Sequence, residues 1–126
     1  MCEERIYVSP LGKTWILDLD GTVVKHNGYK IDGYDSLLPG AKEFFSKLSA
    51  QDKVIFVTSR TQDQAGFTEE FLQENGIRYD AILYGMPYGE RILINDRKPS
   101  GLPTSIAVNT TRDVFMQEKF VVDETL

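Results

Sequence analysis

Short, nearly continuous apolar runs recur along the chain, and polar clusters follow several of them. Five of these runs are predicted to form strands, and the nearly continuous first one is typical of a parallel strand that is covered on both faces. They lie at residues 14–19, 53–58, 81–84, 91–94 and 104–108. Residues 5–8 could add a small edge strand before Pro10 and Gly12.

Two of the segments between the runs carry apolar residues at helical spacing. The first begins at Pro39, a residue type that favours the first turn of a helix, and its stripe consists of Ala41, Phe44, Phe45 and Leu48. The second covers residues 63–75 and ends at Asn75-Gly76, with Phe67, Phe71 and Leu72 on one face. The tail from Arg112 is amphipathic but shows no decisive periodicity, and we expect a short helix that includes Val114, Phe115 and Lys119.

A polar, glycine-rich connection at residues 21–38 links the first run to the first helix. Its Asn27-Gly28 step is a strong signal for a tight turn, which predicts a small flap-like hairpin above the end of the strand. His26 lies in this connection. Two interpretations are open for His26. It has a functional role, as a substrate ligand or an auxiliary acid–base group, or it is a solvated residue of the turn.

The alternation of strands and helices predicts an α/β three-layer sandwich. Its sheet is expected to be Rossmann-like, mostly parallel and five-stranded, with helices on both faces and a small flap. The length of 126 residues predicts a single domain over residues 1–126.

Composition narrows the classes of function. The formal net charge of -5 argues against non-specific binding to nucleic acid or to anionic membranes. No apolar run has the length that a bilayer requires. Cys2 is the single cysteine, which excludes an internal disulfide and a cysteine-based metal site. We therefore expect a cytoplasmic enzyme or binding protein, without a nucleic-acid or membrane partner.

Asp18 and Asp20 are the strongest candidates for chemistry. Residues two apart on a strand face the same side, and the Asp-Gly step then turns the chain. Open α/β sheets bind ligands at the carboxyl ends of their strands, where two acids can attract a cation or act as nucleophile and acid–base group. An ordinary Asp-Gly turn is the simpler alternative. Polar clusters at residues 58–60 and 95–98 follow two other runs, which favours a shared site.

These clusters, in this order, resemble the motifs of the haloacid dehalogenase superfamily of phosphohydrolases over roughly residues 14–108. The resemblance rests on Leu17-Asp18-Leu19-Asp20-Gly21-Thr22 for the first motif, Phe56-Val57-Thr58 for the second and Leu93-Ile94-Asn95-Asp96 for the acidic fourth. The short intervals between motifs are similar to those of the small cap-less sugar-phosphate or capsule-biosynthesis phosphatases. The resemblance therefore implies that the chain has no cap domain.

The resemblance implies a Mg²⁺-dependent phosphomonoester hydrolase that acts through an aspartyl-phosphate, on a phosphorylated sugar or related metabolite. In this scheme Asp18 is the nucleophile and Asp20 is the general acid and base. Thr58 and Ser59 bind the phosphate. Asp18, the backbone carbonyl of Asp20 and Asp96 hold the Mg²⁺ ion.

The sequence departs from the family in two places. Asn95 stands where a second acid is frequent, so it is expected to support the metal site or to contact substrate. Met86 stands where related sequences can carry a lysine that neutralises the phosphate. Lys98 is expected to take that role, with Arg91 as the alternative. Arg60, two residues after Thr58 of the second motif, either contacts substrate or forms a surface salt bridge.

Other functions would use the same residues. A phosphotransferase would share the chemistry, whereas a non-catalytic phospho-ligand or Mg²⁺-binding module would account for Asn95 and Met86. An acidic receiver domain ranks third, because such domains lack the Asp-x-Asp-Gly-Thr pattern. Without a cap domain the site is expected to be open. Such a site either accepts a bulky phosphorylated molecule or is closed by a second copy of the chain, so a homo-oligomer is a further expectation. The remaining candidates for substrate contact are Gly21, Thr22 and His26.

Overall fold

The structure is a computed structural model that describes residues 4–126, so Cys2 lies outside the described residues. Within this range the strands are β1 (Arg5–Val8), β2 (Thr14–Leu17), β3 (Lys53–Val57), β4 (Ala81–Leu83) and β5 (Lys119–Val122). The helices are α1 (Gly28–Ile31), α2 (Ala41–Ser46) and α3 (Ala65–Glu74), and a 3-10 turn at Gln62–Gln64 precedes α3.

The chain divides into two compact units. The larger unit comprises residues 12–87 and 110–115, and the smaller unit comprises the chain up to residue 11 with residues 88–109 and 116–126. The larger unit contains a parallel sheet in the order β2-β3-β4, and the smaller unit contains the parallel pair β1-β5. The α/β class with parallel strands is confirmed, but the strands lie in two sheets instead of one five-stranded sheet. The assignment of the whole chain to a single domain stays a prediction.

The core of the larger unit lies on one face of its sheet. Val54 and Phe56 of the central strand β3 are fully buried, and Trp15 and Leu17 of β2 occupy the same face in register with them. Helix α2 covers this face, because the Phe45 ring lies 5.8 Å from the Phe56 ring. Burial of each large apolar side chain stabilises the fold by roughly 1.5–3 kcal/mol.

Both predicted helices between strands are confirmed with shorter bounds. In α2, Ala41 and Phe45 are buried, as the apolar stripe predicts. In α3 the buried residues are Thr68 and Leu72, whereas Phe67 is 43% exposed. The buried face of α3 therefore contains a polar residue in place of the predicted Phe67.

Two predicted strands are wrong. Residues 91–94 and 104–108 form no strand in the described chain, and Ile92 and Ile94 are 81% and 90% exposed. The prediction rested on short apolar runs, and such a run forms a strand only where a neighbouring strand takes up its backbone hydrogen bonds. Nearby Pro and Gly residues at 85, 87, 89, 99, 101 and 103 further disfavour a regular ladder.

The flap and the tail also differ from the prediction. Asn27 adopts the left-handed conformation with φ of 55°, but it precedes helix α1 rather than closing a hairpin. An isolated antiparallel bridge between Val24 and Leu37 closes the connection. In the tail, Phe120, Val121 and Val122 pair with β1 as strand β5, in keeping with their β-branched and aromatic side chains, and the predicted helix is absent from residues 112–119.

None of the helices within residues 4–126 combines the length and the apolar character that a membrane crossing needs.

Candidate active site

The turn after β2 is organised around Leu19, which is 1% exposed. Its carbonyl oxygen accepts hydrogen bonds from the N–H groups of Val23 and Val24 at 2.9 and 3.1 Å. Gly21 has φ of 80°, a conformation that disfavours any other residue, and its N–H donates to Val24 at 2.7 Å. With Leu19 in the core, Asp18 and Asp20 on either side of it remain partly exposed.

The two carboxylates of this turn have different surroundings. The Thr22 hydroxyl donates to Asp18 Oδ2 across a long 3.4 Å. Asp20, by contrast, is held by a guanidinium: Arg60 Nε–H donates to Oδ2 at 2.9 Å and Nη2–H donates to Oδ1 at 2.8 Å. Bidentate pairs of this kind fix geometry as well as charge. The side chain of Asp20 is still 20% exposed.

Arg60 lies at the centre of a buried polar cluster, which we call the Arg60 cluster, formed with Asp20, Asp35 and Thr68. Its Nη1 and Nη2 groups donate to the two oxygens of Asp35 at 3.0 and 2.8 Å, and Nη1 also donates to Thr68 Oγ1 at 2.9 Å. With the two bonds to Asp20, all five guanidinium N–H donors are used. The side chains of Arg60 and Asp35 are 2% and 3% exposed, so the predicted ion pair exists but is not a surface one.

Aromatic rings cover the guanidinium. The Arg60 Cζ atom lies 4.6 Å from the centroid of the Tyr29 ring and 5.7 Å from that of Phe67. Burial alone would lower the pKa of Arg60, but the hydrogen bonds that Asp20 and Asp35 accept outweigh it, and the pKa lies above its ordinary value. The guanidinium is therefore permanently charged.

The end of β3 places Thr58 and Ser59 beside this cluster in the chain. Thr58 is 1% exposed, its carbonyl accepts from Met86 N–H at 3.0 Å, and its hydroxyl oxygen accepts from Arg60 N–H at 3.1 Å. Ser59 is partly exposed. Of the two predicted phosphate ligands, Ser59 is the more accessible.

The residues of the expected fourth motif belong to the smaller unit. The Asn95 side-chain amide donates to the Thr104 hydroxyl, which in turn donates to the Asp96 carbonyl at 2.6 Å. The Lys98 N–H donates to the Leu102 carbonyl at 3.0 Å, and the side chain is partly exposed. Their predicted roles toward the turn after β2 stay predictions.

His26 lies against the turn after β2. Its backbone N–H donates to Asp113 Oδ1 at 2.7 Å, and its Nδ1 atom is buried without a hydrogen-bond partner among the described residues. A Cβ atom on Gly21 would lie 3.7 Å from that Nδ1 and 3.2 Å from Cγ of Arg112. Gly21 therefore serves the packing of the turn, and substrate contact by Gly21, Thr22 or His26 stays a prediction.

Oxygen donors that suit Mg²⁺ lie at the same turn. Asp18 is partly exposed, and the backbone carbonyl of Asp20 accepts no hydrogen bond from the described residues. Hard oxygen donors of this kind fit Mg²⁺. Within residues 4–126, no three or more Asp, Glu, His or Cys side chains are arranged to hold a metal ion. The turn thus supplies two donors, and ligation by Asp96 stays a prediction.

Three members of the site, Asp35, Thr68 and Tyr29, are not among the residues predicted from the sequence. Thr68 had a usable signal, because it lies four residues before Leu72 on the buried face of α3, where a polar side chain needs a partner. Asp35 and Tyr29 lie in a polar connection without periodicity, and their contacts with Arg60 depend on the path of that connection.

No family model and no curated protein matches the chain. A solved chain from the "Structure of Pnkp1/Rnl/Hen1 complex" is similar, with 27% sequence identity and a TM-score of 0.51. The match covers 68% of this chain and 32% of that chain, so the present chain spans about a third of the solved one. The two chains share the fold of that part.

Proposed function

We propose that the protein is a Mg²⁺-dependent phosphomonoester hydrolase that acts through an aspartyl-phosphate. One observation carries the proposal: Asp18 and Asp20 flank a buried Leu19 on a tight turn at the carboxyl end of β2. The two acids have different surroundings, and this difference suits different roles.

Asp18 is the proposed nucleophile. Its carboxylate oxygen forms a bond to phosphorus while the bond from phosphorus to the ester oxygen breaks, and Asp20 gives its proton to the leaving alkoxide. Asp20, now a carboxylate, then takes a proton from the water that attacks the phosphorus of the aspartyl-phosphate. Phosphate leaves, and Asp18 and the protonated Asp20 are restored.

Charge on the phosphate has to be neutralised for two anions to approach. When bound, Mg²⁺ would supply positive charge that offsets the repulsion of carboxylate and phosphate. Asp18 and the Asp20 carbonyl would hold it, with Asp96 as the proposed third ligand. Ser59 is the proposed hydrogen-bond donor to phosphoryl oxygens, assisted by the Thr58 hydroxyl, and Lys98 is the proposed cation.

The substrate class is a phosphorylated sugar or a related small metabolite, by resemblance to the cap-less phosphatases. A phosphotransferase would use the same residues and pass the phosphoryl group to an alcohol. A non-catalytic phospho-ligand or Mg²⁺-binding module is the second candidate. It is favoured by the ion pair that occupies both carboxylate oxygens of Asp20.

The test is Mg²⁺-dependent release of phosphate from a panel of sugar phosphates and other phosphomonoesters. We expect turnover by the wild-type protein and a loss of about 10⁴-fold or more in Asp18→Asn, since removal of a nucleophile has effects of this size. Mass spectrometry of the acid-quenched enzyme should show a phosphorylated peptide that contains Asp18.

The matched control is Asp52→Asn, the same change at a buried aspartate of the opposite end of the sheet. It should keep the turnover number of the folded protein. Absence of turnover on every substrate, together with binding of Mg²⁺ or phosphorylated ligand, would assign the protein to the binding-module class.

A further inference from the structure

The Arg60 cluster joins three separate parts of the larger unit. Asp20 lies on the turn after β2, Asp35 lies on the connection before α2, and Thr68 lies on α3. On the basis of the proposed hydrolase function, we propose that Arg60 is a positioning residue that holds the Asp20 carboxylate in the orientation for proton transfer and does not itself contact substrate.

Arg60 has no N–H group left for a phosphate. Its five donors all bond to protein oxygens, and its side chain is 2% exposed. The Arg60 Cζ atom lies over the Tyr29 ring, and the Phe67 ring lies nearby. A phosphoryl oxygen could reach this guanidinium only if one of these bonds broke.

The same contacts fix Asp20. Two bonds from Nε and Nη2 hold the plane of its carboxylate in line with the guanidinium, while Asp35 and Thr68 prevent the guanidinium from rotating. A carboxylate offers about four lone-pair sites, so two bonds leave it the capacity to carry a proton. The exposed fifth of the side chain is where that proton would be exchanged.

Asp35 supplies the charge that makes this arrangement possible. Its carboxylate is 3% exposed and takes two bonds from Arg60, so it gives the guanidinium a buried counter-ion in addition to Asp20. Without Asp35, Arg60 would bond to Asp20 as its single counter-ion. Because Asp35 is a further counter-ion of Arg60, the guanidinium can hold Asp20 in place without depending on Asp20 alone for its charge balance.

The test compares two substrates whose leaving groups differ. An alkyl phosphate such as glycerol 2-phosphate needs a proton on its leaving oxygen, whereas 2,4-dinitrophenyl phosphate expels a stable anion and does not. In Arg60→Lys, kcat on the alkyl phosphate should fall by about 100-fold or more and kcat on the dinitrophenyl ester by less than about 10-fold. KM should change little on either substrate, and Asp20→Asn should show the same pattern.

Arg78→Lys is the matched control. Arg78 donates to the backbone carbonyls of Ser49 and Asp52, away from the cluster, so its variant should leave the ratio of the two kcat values unchanged. An equal fall on both substrates in Arg60→Lys would overturn the positioning role. A large rise in KM with kcat kept would assign Arg60 to direct substrate binding and would overturn it as well.

A milder variant decides the matter if Arg60→Lys does not fold. Thr68→Val keeps the shape of the side chain and removes one hydrogen bond to Nη1, so it should give the same selective loss at smaller size. An equal loss on both substrates, or none, would overturn the proposal. Failure of the wild-type protein on both esters would instead reject the hydrolase function on which the proposal rests.

Discussion

The two ends of the β2-β3 pair both bury aspartate, but they satisfy it in different ways. At the amino end, Asp52 is 6% exposed, and its oxygens accept hydrogen bonds from Lys13 N–H and Trp15 Nε1–H, both at 2.9 Å. At the carboxyl end, two carboxylates share the guanidinium of Arg60. The first arrangement uses donors with no net charge, and the second uses a cation.

This difference suits a structural role at the amino end and the proposed chemistry at the carboxyl end. The bonds to Asp52 tie the start of β3 to β2, which lies 37 to 39 residues earlier in the chain, and they leave no partly exposed carboxylate. The bonds to Asp20 leave a fifth of its side chain open. Ligands bind at the carboxyl ends of parallel strands in such folds, so the partly accessible carboxyl group of Asp20 lies where ligands are expected to bind.

Arg60→Met should have the largest effect on stability. It leaves Asp35 buried without its cation, and breaking a buried pair in this way costs about 3–5 kcal/mol in the free energy of unfolding. Urea unfolding followed by circular dichroism would measure it. The double variant Arg60→Met with Asp35→Leu removes the orphaned charge and should recover much of the loss. A loss below about 1 kcal/mol for the single variant would show that the cluster is not a structural element.

Asp52→Ala tests the amino end. It removes the acceptor of the Lys13 N–H and of the Trp15 Nε1–H. Both hydrogen bonds are part-buried, so each loss should cost about 1–2 kcal/mol, and the free energy of unfolding should fall by about 2–4 kcal/mol. The folded fraction should keep its turnover number. Asp52→Asn retains one acceptor oxygen and should lose less. If Asp52→Ala selectively lowered kcat on alkyl phosphates, the proposed division between the two ends would be wrong.

Substitution of Tyr84 should have the smallest effect on the free energy of unfolding, and that effect should depend on pH. Tyr84 directly follows β4, at the carboxyl end of the sheet, and its hydroxyl donates to Glu69 Oε2 at 2.9 Å. Burial, and after it the hydrogen bond to Glu69, raise the pKa of Tyr84 above its ordinary value. Tyr84→Phe should therefore lower the free energy of unfolding by about 1 kcal/mol at neutral pH.

The sign of the pH effect follows from the raised pKa. Folding favours the protonated phenol, so the contribution of Tyr84 is present below the unfolded pKa of about 10 and is lost as pH rises through the folded pKa. The difference in stability between wild type and Tyr84→Phe should shrink in unfolding curves recorded above about pH 10. A difference that stayed constant would show that the hydrogen bond does not persist in solution.

The elements of the larger unit that form from a single apolar run or from helical spacing can be predicted from the sequence. Strands β2, β3 and β4 and helices α2 and α3 follow from apolar runs and helical spacing. Residues 91–94 and 104–108 show the limit, since four or five apolar residues do not specify a ladder partner. Strand β5 was missed because charged residues flank its short apolar stretch.

The site residues show the same contrast between what local spacing predicts and what depends on long-range contacts. Asp18 and Asp20 lie two residues apart around Leu19, so their common location could be predicted from spacing alone. The partners of Arg60 could not, because Asp35 lies 25 residues before it and its contact depends on how the connection folds. From the sequence, Arg60 is expected to contact substrate or to form a surface salt bridge, whereas long-range pairing buries it.

The pairing of β1 with β5 has a consequence for the order of folding. Arg5 pairs with Lys119 and Val8 with Val122, so during synthesis β1 has to wait for nearly all of the described chain before its partner exists. Closing so long a loop costs conformational entropy that local contacts do not repay. The sheet of the larger unit needs no residue beyond β4 for its ladder, so it can assemble while synthesis continues. Unpaired β1 would meanwhile be a site at which chaperones or other nascent chains could bind.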